Sequence, residues 1–372
     1  MKVLTIITVK FGINGITNVV KNYYKFLDKN LVDMDFVLLN EPPKEFIDYV
    51  KKNGGQIFVL PERLSNPIVY YKKLKKIIHE VSYDIIHAHG NSNTLGIEMG
   101  IAKSCAIPVR IAHAHNTTTK YKVLHSIMRV PFEKSYTHGI ACGVDAGNWL
   151  FHKKKFYVID NGVDTLKYKY SEKNRKNIRQ EFNIADNEKV IGHIGHFSLQ
   201  KNQKFIIDLF DWIMKNDPKN NYRVLLMGNG ELREGLEVLV KEKQLQNHIL
   251  FLGNRNDIDK ILSAIDLLLM PSLFEGLPLT LIEAQSTDLN CLIADTITKD
   301  ADITGKVEFF NLSDNYSKVA KQIYQLTSGV NDRNRKKGNK FVSESKYNIT
   351  EGALKLQHLY SEFLNTSKRI SK

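Results

Sequence analysis

The sequence predicts an α/β protein made of two successive parallel-sheet domains of the Rossmann type, on three observations. Short β-branched or aliphatic runs alternate with amphipathic helical stretches; that alternation breaks once near the middle and restarts; and each half opens with a buried strand, a glycine-bearing turn and a helix. Strict alternation implies right-handed crossovers and a parallel sheet covered on both faces. A chain of 372 residues with 42% hydrophobic content is long enough for two cores of ordinary size.

The strands expected in the first half are Val3 to Val9, Phe36 to Leu39, Ile57 to Leu60, Ile85 to Ala88, Val109 to Ala112, Gly139 to Cys142 and Tyr157 to Ile159. Helical stretches such as Ile16 to Leu27, Pro67 to Glu80 and Leu95 to Ser104 lie between them. The turn-forming pair Asn161-Gly162 and a polar, lysine-rich run to about Lys176 mark the break. Strands then resume at Val190 to Ile194, Arg223 to Met227, Ile249 to Leu252, Leu267 to Met270 and Cys291 to Ala294. The domains are accordingly placed at 1–165 and 166–348. A final helix in 349–372, with an apolar stripe at Ile349, Leu354, Leu356, Leu359, Tyr360 and Phe363, is expected to cross back to the first domain.

Several classes are set aside by composition. The apolar run in MKVLTIITVKFG is too short for a secretion signal and no small-residue cleavage pattern follows it, so it is read as a first buried strand. No stretch approaches the roughly eighteen apolar residues of a membrane span, since Asp266 and Pro271 interrupt the most apolar region. Cys105, Cys142 and Cys291 are scattered and odd in number, which suits a reducing cytoplasm better than a disulfide framework or a zinc site. A net charge of +13 asks for an anionic partner, a nucleic acid, a phosphorylated ligand or an anionic membrane face, and the charge alone does not choose among them; for the chain as a whole no nucleic-acid partner is expected. The lysine clusters such as Lys72, Lys73, Lys75, Lys76 and 153–155 are read first as solvated helix faces.

In open α/β sheets a ligand sits beyond the carboxyl ends of the strands, where a glycine turn lets backbone N–H groups and a helix N-terminus reach phosphate oxygens. Gly12 and Gly15 in VLTIITVKFGINGI and Gly195 in VIGHIGHFSLQKNQ fit that role, and two such turns suggest the facing walls of a cleft. Lys201, near the start of a helix expected at Asn202, places a cation where helix electrostatics disfavour one unless an anion comes to it. Gly228 and Gly230 in LLMGNGEL serve either as a plain turn or as an approach to a nucleotide. Arg255 in LFLGNRNDI is a candidate for a base or phosphate.

The strongest signal is PSLFEGLPLTLIEAQ, Pro271 to Gln285. A loop carrying Glu275 leads into a helix from about Leu279, and Glu283 lies one turn inside it. An ionised carboxylate accepts two short O–H bonds, so a pair separated by about a sugar's length suits the hydroxyls of a ribose and a hexose. Glu283 also stands among Leu281, Ile282 and Ala284, where a carboxylate needs a partner.

With FEGLPLTLIEAQ, GHFSLQKN, VIDNGVD and RIAHAHN in place over nearly the whole chain, the sequence resembles glycosyltransferase family 4. These are retaining enzymes of GT-B fold, and the chain is similar to bacterial enzymes that build capsule, exopolysaccharide and other surface glycans. The resemblance implies transfer of a hexosyl group from a nucleotide diphosphate sugar, UDP by preference, to a saccharide or an undecaprenyl-type lipid-linked saccharide. It implies that Glu275 contacts the donor sugar, that the stretch Gly276, Leu277, Pro278 and Leu279 offers N–H groups to sugar and diphosphate, and that Glu283 holds the ribose. Lys201 holds the diphosphate, Gly15 approaches from the other domain, and a histidine after the fifth strand lies beside the donor sugar. His196 stands where the family usually has an arginine, which shifts weight onto Lys201.

Two His-Ala-His pairs, His87/His89 and His113/His115, end two strands. Alternate strand residues share a side, so each pair is able to chelate, but neither has a cysteine or carboxylate companion in sequence and both are read as cleft floor. His115, followed by Asn116 and Thr117, is preferred over His113 as the donor-side histidine. No Asp-x-Asp follows a buried strand: Asp33/Asp35 precede one and Asp257/Asp259 fall in an expected first helical turn, so no metal cofactor is expected. The enzyme is placed in the cytoplasm, with Tyr70 to Lys76 and Lys120 to Lys122 offered to the inner membrane face. A nucleotide-sugar epimerase and a non-catalytic nucleotide-sugar-binding partner are the rival readings.

Overall fold

The computed structural model describes residues 1–12, 14–217, 221–328, 335 and 337–370. It divides into two compact units, Met1–Gly162 with Ile349–Lys372, and Val163–Asn348.

Unit 1 runs β1 (Lys2–Ile7), α1 (Gly15–Phe26), β2 (Asp33–Leu38), α2 (Lys44–Lys52), β3 (Ile57–Val59), α3 (Pro67–Glu80), β4 (Ile85–Gly90), α4 (Gly96–Ser104), β5 (Val109–Ala114), α5 (Lys122–Ile127), α6 (Arg129–Glu133), β6 (His138–Ala141), α7 (Val144–Phe151) and β7 (Tyr157–Val158). All neighbours in its sheet pair parallel, in the order β3-β2-β1-β4-β5-β6-β7. Strands β1 and β4 are buried on both faces, hence their near-continuous apolar runs. Asp33 and Asp35 lie inside β2, at its beginning, rather than before it. Asp35 is buried there and accepts from the Tyr83 hydroxyl at 2.8 Å.

Unit 2 runs α8 (Glu172–Glu181), β8 (Lys189–Ile194), α9 (Gln203–Asn216), β9 (Tyr222–Met227), α10 (Arg233–Glu242), β10 (Ile249–Gly253), α11 (Ile258–Ala264), β11 (Leu267–Met270), α12 (Leu279–Ser286), β12 (Asn290–Ala294), β13 (Val307–Phe310), α13 (Tyr316–Thr327) and α14 (Lys337–Ser343). Its parallel sheet has the order β10-β9-β8-β11-β12-β13. Apolar side chains fill both faces, with Phe197, Phe210 and Leu269 on one and Leu225, Leu268 and Cys291 on the other.

The last helix, α15 (Ile349–Ile370), belongs to unit 1. Its apolar stripe drives it there: Tyr360 is fully buried and Phe363 stacks on His138 with ring centroids 3.8 Å apart. The chain crosses where a Cβ on Gly162 would lie 2.5 Å from Ile349 Cα, so only glycine fits. Val163 already donates to Tyr347 O at 2.8 Å, which puts the boundary at 162/163, three residues before the break read from sequence.

Candidate functional site

In each sheet the strand order reverses between two neighbours, β1/β4 and β8/β11, the position where open α/β sheets bind ligands at the strand carboxyl ends. In unit 2, the chain leaving β8 continues the ladder for one residue, Gly195 N donating to Met227 O at 2.9 Å. Gly228, at φ +136°, makes this possible, because a Cβ there would meet Gly195 O at 2.0 Å. Buried Phe197 anchors the turn that follows. One 3-10 turn, Leu199–Lys201, and a left-handed Asn202 at φ +54° then precede α9, so Lys201 sits just ahead of the helix, which starts at Gln203 rather than Asn202.

This turn is tied to the loop after β11. Leu273 N donates to Gln200 O at 2.8 Å, the Gln200 amide donates to Phe274 O at 3.0 Å, and the Asn202 amide donates to Pro271 O at 3.1 Å. The Lys201 ammonium donates to Glu275 Oε1 at 2.5 Å, with the two side chains 20% and 9% exposed. The loop then enters α12, which has no side-chain cap. The amides of Gly276, Leu277 and Leu279 have no acceptor among the described residues, and a Cβ on Gly276 would meet nothing within 4 Å. Pro278, at the N-cap, corrects the expectation for that stretch: it carries no N–H and contributes shape alone.

Glu283, half-buried on α12, is paired with the Tyr168 hydroxyl. Burial pushes its carboxyl above the usual range, and Tyr168 and Lys167 pull the other way. Burial and Glu283 in turn hold the Tyr168 phenol protonated. His196 is exposed, its Nε2 2.9 Å from Glu231 Oε2. Behind it, buried Gln203 donates to His196 O at 3.0 Å, and His193, lowered to about 4 chiefly by burial, sits 3.1 Å from the same amide nitrogen. Arg255 is already engaged: Nε and Nη2 donate to Asp257 at 2.8 Å each, and Nη2 donates to Glu181 at 2.9 Å. Asp259 lies 3.6 Å from Lys167, so both members of that Asp-x-Asp are in ion pairs.

In unit 1, Gly15 is the first residue of α1, behind the N-cap Asn14, whose side chain accepts from Thr17 N at 3.0 Å. A Cβ on Gly15 would meet nothing within 4 Å. The two His-Ala-His pairs, expected as separate floor residues, form one stack across β4 and β5. Centroid distances are 4.2 Å for His87/His89 and for His113/His115, and 5.1 Å for His89/His115. His87 Nε2 lies 3.1 Å from His113 Nδ1, His89 Nδ1 lies 2.9 Å from His115 Nε2, and His87 Nδ1 meets the Tyr360 hydroxyl at 2.6 Å. Burial first, and for three of the rings mutual repulsion second, lowers all four; His87 and His115 fall to about 3. They are neutral imidazoles. His113 is buried, whereas half-buried His115, at the strand exit, is held by Asn91 Oδ1, 3.2 Å from its backbone N–H.

Sequence reasoning missed Tyr168, Gln203, His193 and Tyr360. Only the polar Gln203 at the head of an apolar helix left a trace; Tyr168 and Tyr360 reach their partners across long sequence separations.

The two halves match known families separately, residues 13–167 the one described as "Glycosyltransferase Family 4" and residues 174–341 "Glycosyl transferases group 1". The chain belongs to these glycosyltransferases. It is 29% identical over 323 residues to the putative glycosyltransferase EpsF of Bacillus subtilis, covering 83% of each chain. It is 28% identical over 304 residues to the UDP-Gal:alpha-D-GlcNAc-diphosphoundecaprenol alpha-1,3-galactosyltransferase of Escherichia coli, covering 76% of each. The structure of HepE from Anabaena in complex with UDP-glucose superposes with a TM-score of 0.79 at 18% identity, covering 97% of this chain and 100% of that one, which assigns the GT-B fold.

Proposed function

We propose that the protein transfers a hexosyl group, with retention at the anomeric carbon, from a UDP-sugar to a saccharide or lipid-linked saccharide in bacterial surface polysaccharide synthesis. The observation that carries this reading is the Lys201–Glu275 contact at the head of α9, beside the unpartnered amides of Gly276, Leu277 and Leu279. A carboxylate that accepts sugar hydroxyls, a cation for diphosphate and free N–H donors all stand at the carboxyl end of one sheet. On donor binding, Lys201 exchanges part of its contact with Glu275 for diphosphate oxygens. Glu283, held by Tyr168, accepts from the ribose. One relative, described as a UDP-Gal:alpha-D-GlcNAc-diphosphoundecaprenol alpha-1,3-galactosyltransferase, supports the substrate classes.

In this reading the anomeric C–O bond breaks first and its electron pair stays on the diphosphate, whose charge Lys201 and the loop amides stabilise. The acceptor oxygen then forms the new bond from the same face, and its proton passes to the departing phosphate oxygen. His115 provides a neutral ring beside the donor sugar, His196 a weak contact to phosphate, and Gly15 a close backbone approach. Arg255 is a poorer candidate for the donor because carboxylates already occupy it. No divalent metal is assigned to the diphosphate.

A lipid-linked acceptor brings the protein to a membrane surface. Val123, Ile127 and Val130, 75%, 67% and 57% exposed, project from α5 and α6 beside Tyr121, Lys122 and Arg129. Exposed Ile68 and Tyr71 on α3 add to the same reading, but Tyr70 does not, since it is fully buried with its hydroxyl donating to Glu98 at 3.0 Å. Among the described residues no helix is long and apolar enough to cross a membrane, and the attachment proposed here is through these exposed side chains.

The test is a panel of nucleotide sugars with and without lipid-linked acceptor and EDTA, scoring nucleoside diphosphate and the anomeric configuration of the product. Acceptor-dependent release that persists in EDTA and gives a retained linkage supports the reading. Acceptor-independent conversion of the sugar would replace it with an epimerase, and binding without turnover with a non-catalytic partner.

A further inference from the structure

We propose that the histidine stack of unit 1 binds one divalent transition ion of the zinc(II) class through His87, His89 and His113. One ring nitrogen from each of the three lies within 4.8 Å of the others, and all three residues are buried. Closest are His87 Nε2 and His113 Nδ1, 3.1 Å apart. Two imidazole nitrogens on a tetrahedral zinc ion stand about 3.3 Å apart, given metal–nitrogen bonds of roughly 2.0–2.1 Å. The pair already has ligand spacing, and modest turning of His89 completes a trigonal face.

The chemistry of the rings agrees. An imidazole must be neutral to ligate, and burial keeps these neutral through the physiological range. Metal-bound histidines commonly engage their second nitrogen with an oxygen, which fixes the ring and the tautomer. Tyr360 does this for His87: with the proton on Nδ1 shared with its hydroxyl at 2.6 Å, the Nε2 lone pair faces inward. An ion on His89 Nε2 leaves the Nδ1 proton to be donated to His115 Nε2, across the existing 2.9 Å contact.

Among the described residues His113 Nε2 and His115 Nδ1 are buried without a hydrogen-bond partner; neither is a ligating atom of this site, so the case rests on the spacing of the three rings. An ion replaces the single His87–His113 hydrogen bond by two dative bonds, and its fourth position is open to water or an anion. The three ligands lie on unit 1 and take no part in neutralising the diphosphate; they meet the proposed reaction only through His115, which His89 contacts, and the zinc readouts do not depend on transfer.

The experiment uses the full chain without an affinity tag, stripped with chelator, reloaded with zinc and passed through gel filtration before elemental analysis. One zinc per chain is expected, with tetrahedral cobalt(II) absorption on substitution and three imidazoles in the X-ray absorption of the zinc-loaded protein. His113→Gln should weaken binding at least about 100-fold and Tyr360→Phe by roughly 10-fold, the scale seen for groups that hold a metal-bound histidine by its other nitrogen. No retained zinc, fewer than three imidazoles around it, or unchanged affinity in His113→Gln overturns the proposal. The absorption measurement on the unmodified chain decides the matter if a variant does not fold. Transfer measured in EDTA on the same preparations keeps this outcome distinct from that of the proposed reaction.

Discussion

The two sheets reverse their strand order at equivalent places, and the chemistry at that point in unit 2 is opposite to the chemistry one strand further on in unit 1. Beyond β8 and β11 of unit 2 stands a charged contact, Lys201 with Glu275, in a partly open loop. At β4 and β5 of unit 1 stand four imidazoles, three of them buried, all neutral and stacked on one another. The difference follows from solvent access. A loop that leads into an uncapped helix keeps water, and an anion, within reach of its charges, whereas strand residues inside a sheet must shed charge to be buried. Common topology thus gives one unit a charged loop and the other a cluster of neutral imidazoles.

The sharpest way to break this comparison is to remove the charge from unit 2. Glu275→Ala and Lys201→Ala are each expected to lower kcat/KM by about 100-fold to 1000-fold, the range for losing one transition-state contact in a preorganised site. Thermal stability should move little, since both side chains retain some exposure. Steady-state kinetics with the preferred donor check this; an activity loss under tenfold in both variants would move the chemistry elsewhere.

Unit 1 is tested by acid. Its imidazoles are lowered, so the unfolded chain binds protons that the folded chain refuses, and stability is intact above the ordinary histidine value near 6.5 and lost as pH falls toward about 3. Each ring contributes a slope of about 1.4 kcal/mol per pH unit in that window. Thermal melts between pH 7 and pH 4.5 should therefore steepen, with His87→Gln removing about one proton from the slope. A pH-independent transition contradicts neutral stacking.

Tyr168→Phe probes the point in unit 2 that most resembles unit 1, a carboxyl held by a half-buried neutral partner. Losing the hydroxyl should cost about 1–3 kcal/mol, divided between stability and donor affinity. It also removes the influence that lowers Glu283, so its carboxyl rises further and affinity for the nucleotide should decline below a higher pH than in the unmodified chain. Calorimetric titration with UDP across pH reads both. The smallest effect is expected at the surface: Val123→Glu should change stability within about 0.5 kcal/mol while weakening retention on anionic vesicles, measured by co-sedimentation.

Much of this was legible in the chain. The strand runs, the central break and the stripe of α15 follow from hydrophobic periods, which report burial directly, and FEGLPLTLIEAQ announced a carboxylate loop and a helix head because turn chemistry and capping are local. Less legible were the boundaries, where β1 ends at Ile7 and α9 begins at Gln203, since single hydrogen bonds set them. Pairings at long range left no local signal. Nothing near Glu283 names Tyr168, and Arg255 read as a free cation until Glu181 and Asp257 were seen beside it.

The sequence by itself therefore determined the class of fold, the apolar stripe of the last helix and the residue types of the loop before α12, all of them consequences of period, turn and cap. Tertiary structure alone decided which of those residues meet. It joined two His-Ala-His pairs into one stack because β4 and β5 are parallel neighbours, aimed Tyr360 at that stack from the far end of the chain, and set Lys201 on Glu275. Register and burial are properties of the packed sheet, and no window of sequence contains them.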